Sequence, residues 1–186
     1  MGKKIAAFID RDGTINLEID NLYKIADLTI IPRAAKAIAL LNEHKIPAIV
    51  ITNQPAVARG LITEDELKKI HREIEHRIEK EGGKIDAVYY CPHHPNATLK
   101  KYRRCCDCRK PNTGMFKKAA LDFDIDLTKS YMIGDSFRDI EAGKTIGATT
   151  IALTATRSDF LGSTPDYLAK NLYEAVKLII KKERLK

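Results

Sequence analysis

Five short runs rich in apolar residues, at 5–9, 48–52, 87–91, 131–134 and 149–153, show little alternation between apolar and polar positions. A strand with one wet face alternates, whereas a strand covered on both faces does not. Each run is followed by a segment with helical periodicity, at 33–44, 63–80, 114–123, 139–146 and 171–182. In the second of these, Thr63 and Glu66 have capping-box spacing, and Leu67, Ile70, Ile74 and Ile78 form a stripe between charged residues. Alternating strands and helices pack as an α/β fold, a parallel sheet with helices on both faces and right-handed crossovers. The 186 residues contain no repeat, low-complexity tract or Gly/Ser linker. One domain over residues 1–186 is therefore expected.

Composition excludes some functions. Apolar residues make up 44% and charged residues 31%, and no apolar run approaches the roughly 20 residues of a membrane span. Lys3 and Lys4 are not followed by a signal-like apolar stretch, so a cytoplasmic protein is expected. The net charge of +7 raises the possibility of a nucleic-acid 3′-phosphatase. The excess gathers at 100–110 and 181–186, with no aromatic platform or continuous basic stripe, so nucleic acid is not the expected partner. The tail reads as a solubilising helix end.

In open parallel sheets, ligands bind beyond the carboxyl ends of the strands. Those ends carry Asp10, Arg11, Asp12, Gly13 and Thr14 after the first run, and Thr52, Asn53 and Gln54 after the second. The polar loop after the third run closes with Arg109 and Lys110, and the fourth leads to Asp135 and then Asp139. Carboxylates from two strand ends suit one Mg²⁺, a hard ion that prefers oxygen. The set suits phosphoryl transfer: Asp10 attacks phosphorus, and Asp12 protonates the leaving oxygen, then activates water. Thr52 and Asn53 would donate hydrogen bonds to phosphoryl oxygens, and Lys110 would supply positive charge.

Asp10-Arg11-Asp12-Gly13-Thr14, Thr52-Asn53-Gln54, Lys110, and Gly134-Asp135 with Asp139 resemble the four ordered motifs of the haloacid dehalogenase-like (HAD-like) hydrolases. The resemblance covers residues 5 to about 153. It implies a Rossmann-like fold, an aspartyl-phosphate, and Mg²⁺ held by Asp10, by Asp12 through its backbone carbonyl, and by Asp135.

All four cysteines fall within 18 residues, where Cys91-Pro92-His93-His94 and Cys106-Asp107-Cys108 are separated by 12 residues between His93 and Cys106. Clustered Cys and His in a cytosolic chain point to metal rather than disulfides. Cys91, His93, Cys106 and Cys108 would close a tetrahedral structural Zn²⁺ site in a loop over 91–111, leaving Cys105 spare. Cys105 could exchange roles with Cys106, and His94 with His93. The loop resembles that of the D-glycero-D-manno-heptose 1,7-bisphosphate phosphatases. The histidinol-phosphate phosphatases share the Cys/His scheme but have a shorter loop and lack the Ala56-Val57-Ala58-Arg59-Gly60 stretch. The resemblance implies the same zinc ligands, 7-phosphate hydrolysis of a sugar bisphosphate, and recognition of that substrate by Arg109 together with Thr52, Asn53, Gln54 and Lys110. Pro55-Ala56, Ser136 and the 20–23 stretch depart from the family pattern, with Ser136 standing where the family usually has Lys. No insertion is long enough for a separate cap domain. A monomer acting on a small phosphorylated sugar, away from membranes, is expected.

Overall fold

The structure, a computed structural model, describes residues 2–153 and 162–184. The final two residues of the basic tail lie outside them. Six strands, β1 (Ala7–Ile9), β2 (Ala48–Asn53), β3 (Ala87–Cys91), β4 (Tyr131–Gly134), β5 (Thr149–Leu153) and β6 (Tyr167–Ala169), form one sheet in the order β3-β2-β1-β4-β5-β6. Every neighbouring pair is parallel. This is the α/β, Rossmann-like arrangement expected from the unbroken apolar runs.

The helices are α1 (Ala34–Glu43), α2 (Pro55–Ala58), α3 (Glu64–Lys80), α4 (Gly114–Phe123), α5 (Phe137–Thr145) and α6 (Leu172–Arg184). Successive strand residues point to opposite faces. Ala7 and Ile9 pack with buried residues of α1, α3 and α6, while Phe8 packs with those of α4 and α5. On the second face Phe8 meets Phe116 edge to face, with ring centroids 5.2 Å apart. Both sides of β1 are thereby covered, which is why its sequence does not alternate.

The capping box of α3 forms as expected. Thr63 Oγ1 accepts from the Glu66 amide at 3.2 Å, and Glu66 Oε2 accepts from the Thr63 amide at 2.7 Å. The stripe Leu67, Ile70, Ile74 and Ile78 is buried, and His71 shares that face. Helix α5 begins two residues earlier than the periodicity indicates, because Ser136 and Asp139 form a second capping box. The α2 turn, with Pro at its start, occupies part of what reads as loop in sequence. The edge strand β6 has no sequence signal of its own. It is fastened by Asp166, whose Oδ2 accepts from the amide and hydroxyl of Thr150, both at 2.8 Å. Among the described residues, no helix is long and apolar enough to cross a membrane.

Candidate active site

The strand order reverses between β1 and β4, the position where an open parallel sheet leaves a crevice at its carboxyl edge. Asp10 follows β1 and Asp135 follows β4. β2 lies on the other side of β1, so Thr52, Asn53 and Gln54 reach the same rim. The rim opens into a cleft of about 430 Å³.

At its floor, Asp10, Asp135 and Asp139 bring their carboxylate oxygens within 4.8 Å of one another. Lys110, 2% exposed, sits among them: its Nζ lies 2.8 Å from Asp10 Oδ1 and 2.6 Å from Asp139 Oδ1, and donates to the Ile51 carbonyl at 2.6 Å. Burial works against the ammonium, but Asp10 and Asp139 outweigh it and raise its pKa above the ordinary lysine value. One ammonium does not balance three acids. Burial, followed by the field of Asp139, raises the Asp10 carboxyl well above the usual carboxylate range. The same two causes bring Asp135 to about 6. The second carboxylate oxygen of Asp139 accepts from the amide and hydroxyl of Ser136. Asp139 thus ties the start of α5 to Lys110, although its motif position alone does not reveal how fully it is enclosed.

Gly13 allows this packing. Its φ is +72°, and a Cβ there would lie 1.8 Å from Asp135 Oδ2. The carboxylate therefore occupies space that any side chain at position 13 would take.

Asp12 is arranged differently from Asp10. Its carboxylate accepts from Arg11 Nη2 at 2.7 and 2.8 Å, from Arg11 Nε at 3.1 Å, from Asn16 Nδ2 at 2.9 Å and from Gln54 Nε2 at 2.7 Å. Burial opposes ionisation here, but Arg11 and these hydrogen bonds outweigh it and lower the pKa. Arg11 is 1% exposed, and its Nη1 lies 3.2 Å from His71 Nε2. Burial and the adjacent guanidinium push His71 down to about 3, so its ring is neutral and accepts from Arg11. The Asp12 side chain is thus turned to its own cage, and only its backbone carbonyl is left for the metal role implied by the family. The cage members Arg11, Asn16 and His71 have no assigned role in the sequence reading. The one trace of His71 there is its place on the buried stripe of α3.

The β2 end also differs in detail from expectation. Asn53 exchanges two hydrogen bonds with the Lys110 backbone: Oδ1 accepts from the amide at 3.0 Å and Nδ2 donates to the carbonyl at 3.1 Å. Its amide group therefore holds the lysine in place. Thr52 Oγ1 accepts from Gln54 Nε2 at 2.9 Å, leaving the Thr52 hydroxyl proton free of that pair. Arg59, His94, Arg109 and Arg138 also line the cleft. Burial and the neighbouring Arg138 and Arg59 hold the Arg109 guanidinium below its ordinary pKa, with Cys91 and Cys106 acting in the opposite sense. Glu18 lies on the acidic side, brought to about 7 by burial and by Asp12 and Asp135.

In the loop after β3, the ligand atoms of Cys91, His93, Cys106 and Cys108 lie within 4.8 Å of one another. The sulfur–sulfur distances are 3.0, 3.2 and 3.5 Å, and His93 Nδ1 is 3.3 Å from Cys108 Sγ and 3.7 Å from Cys91 Sγ. Ligands around a tetrahedral zinc with ~2.3 Å bonds to sulfur stand roughly 3.7 Å apart, so the cluster is slightly tighter than a loaded site. Cys105 is exposed and outside it. The same loop carries Arg109, which donates to the His93 carbonyl at 3.1 Å, and then Lys110.

Residues 107–175 match a family model described as HAD-hydrolase-like. The D-glycero-beta-D-manno-heptose-1,7-bisphosphate 7-phosphatase of Haemophilus ducreyi is 38% identical over 157 residues, covering 84% of this chain and 85% of that protein. Its counterpart in Rhodopseudomonas palustris is 41% identical over 145 residues, covering 78% and 81%. The crystal structure of D,D-heptose 1.7-bisphosphate phosphatase from B. bronchiseptica, complexed with magnesium and phosphate, superposes with a TM-score of 0.84 at 28% identity, over 96% of this chain and 99% of that one. The chain belongs to this family of HAD-like phosphatases.

Proposed function

We propose that the chain hydrolyses the 7-phosphate of D-glycero-beta-D-manno-heptose 1,7-bisphosphate through an aspartyl-phosphate on Asp10. The observation that carries this reading is a largely enclosed nucleophilic carboxylate, paired with Lys110, in a cleft that three arginines also line. Uncompensated negative charge among Asp10, Asp135 and Asp139 fits a divalent cation with oxygen ligands. Asp10 and Asp135, with the Asp12 backbone carbonyl, would hold Mg²⁺, and Asp139 would stand behind them through Lys110. When bound, that ion supplies charge neutralisation for the incoming phosphoryl group.

Asp10 Oδ forms the new bond to phosphorus while the bond from phosphorus to the sugar oxygen breaks. Protonated Asp12 gives its proton to that leaving oxygen. The cage of Arg11, Asn16 and Gln54 favours the ionised form, so the proton Asp12 delivers is one taken up as the substrate binds, and the carboxylate it becomes is the form the cage supports for the next step. The resulting carboxylate then takes a proton from the water that attacks phosphorus, which frees Asp10. Lys110 acts against burial and Asp139 and favours the ionised, attacking form of Asp10. Thr52 is placed to donate to a phosphoryl oxygen, Gln54 aligns Asp12, and Asn53 acts by fixing Lys110.

Three thiolates and one imidazole fill a tetrahedral shell and leave no open position, so Zn²⁺ would order the loop that delivers Arg109 and Lys110. We place the enzyme in the cytoplasm as a monomer, with a small phosphorylated sugar rather than nucleic acid or membrane as its partner. Phosphate release from both anomers of the bisphosphate, from histidinol phosphate and from common sugar monophosphates tests the substrate. The β-anomer should give the highest kcat/KM, and a preference for histidinol phosphate would overturn the reading.

A further inference from the structure

Arg11 is the largest fully buried side chain among the described residues. A guanidinium has five N–H donors and no acceptor, and a donor left dry and unpaired is costly. Nε and Nη2 spend theirs on the carboxylate of Asp12, at 2.7 to 3.1 Å. Nη1 lies 3.2 Å from Nε2 of the buried His71. Because Arg11 can only donate, Nε2 accepts and the ring carries its proton on Nδ1. The imidazole is itself held from two sides. Its own helix is α3, and the ring of Tyr90 in β3 packs on it with centroids 5.5 Å apart. The Tyr90 hydroxyl donates to Glu64 Oε2 at 2.8 Å, in the first turn of α3.

Arg11 and Asp12 are neighbours in the chain, so their pairing alone would let them swing together. Asn16 and Gln54 each hold one oxygen of Asp12, whereas Arg11 Nη2 spans both. Among the described residues the Arg11 side chain bonds to Asp12 and His71 alone, so His71 is what ties that fork to another element. The residue type matters. An apolar side chain at position 71 would leave Nη1 without an acceptor. A carboxylate would satisfy Nη1 but compete with Asp12 for the one positive charge. A neutral imidazole accepts without adding charge, and Asp12 keeps the whole field of the guanidinium.

We propose that His71 is a positioning residue for the reaction: by fixing the far nitrogen of Arg11 it holds the guanidinium fork on Asp12, and so sets where the acid/base carboxyl sits. The inference rests on the assignment of Asp12 as proton donor to the leaving oxygen. It does not depend on which sugar phosphate is the substrate.

The test compares two esters by kcat/KM: the sugar phosphate that the wild type hydrolyses fastest, whose alkoxide needs a proton to leave, and para-nitrophenyl phosphate, whose phenolate leaves without one. The variants are His71→Met, His71→Gln and Asp12→Asn, each shown to be folded by circular dichroism. His71→Met fills the space without an acceptor for Nη1. It should lower the sugar phosphate value by about tenfold or more, because misplacing a reacting group by ~1 Å can cost ~10²-fold. Its value for para-nitrophenyl phosphate should stay within about threefold of wild type, since the proton donor is not needed there. His71→Gln, which keeps an acceptor, should hold the sugar phosphate value within about threefold of wild type. Asp12→Asn should show the same selective loss, larger, up to the ~10²–10⁴-fold that a general acid supplies. In His71→Met, a loss equal for both esters, which a merely structural role would give, or no loss for either, overturns the inference alone. So does a His71→Gln variant no better than His71→Met. An Asp12→Asn variant that loses both esters equally overturns the assignment of Asp12 and the inference with it.

Discussion

Replacing Lys110 with Met keeps the length and volume of the side chain but removes the charge that Asp10 and Asp139 share. The ammonium lies 2.8 and 2.6 Å from the two carboxylates and is 2% exposed. At an effective dielectric of about 20, each contact carries about 6 kcal/mol of gross attraction. Relief of the ammonium's desolvation, several kcal/mol, offsets much of that loss. The acids left behind repel each other, so a net cost of about 3–5 kcal/mol is expected, the usual range for breaking a buried pair. The cost depends on pH. Burial and Asp139 already raise the Asp10 pKa, and without Lys110 it rises further. The folded variant then holds a proton that the unfolded chain gives up near pH 4. A folded-state pKa above the unfolded value means that stability falls as pH rises between the two. The deficit relative to wild type should therefore be full at pH 8 and shrink by about 1 kcal/mol or more toward pH 5. Urea unfolding followed by circular dichroism, in buffer without added magnesium and with the zinc left in place, measures it at both values. A deficit below about 1 kcal/mol at pH 8, or one that grows as pH falls, would refute the assignment of Lys110 as the counter-ion of the site.

Gly13→Ala introduces a carbon 1.8 Å from Asp135 Oδ2 at a φ of +72°. It should displace Asp135 and weaken magnesium activation about tenfold or more; an unchanged magnesium titration would contradict the proposed ligand set. Metal analysis should find one zinc per chain. Stripping it should unfold the 91–111 loop, since a structural zinc contributes ~10 kcal/mol or more to such a segment, and should abolish turnover by releasing Lys110. Metal-free protein that keeps both its melting temperature and its activity would show that the cysteine cluster does not support the site.

The features legible in the sequence are those with local causes. Helix α3 is readable because its cap and stripe lie within one segment, and β1, β2 and β4 are readable because burial on two faces removes alternation. The carboxyl ends of those strands then locate Asp10, Thr52 to Gln54 and Asp135. What was not legible depends on chain segments meeting from far apart. The contact between Arg11 and His71 spans 60 positions, and neither residue has a local signature beyond its type. Asn53 reads as a phosphate donor at its strand end, yet the return of the loop 57 residues later engages its amide with Lys110. β6 exists because Asp166 clamps it to Thr150, a side-chain contact that no three-residue pattern encodes. Asp139 is an intermediate case, since its spacing from Ser136 carries the capping signal while its pairing with Lys110 is tertiary.

The chemistry turns on which group receives the phosphate. Enzyme mixed briefly with substrate radiolabelled at the 7-phosphate, then quenched in acid and digested, should yield a single labelled peptide containing Asp10, with the label lost on mild base treatment. Asp10→Asn, folded by circular dichroism, should carry none. Label on another peptide, or turnover by wild type with no acid-stable phosphoenzyme at any quench time, would contradict nucleophilic attack by Asp10.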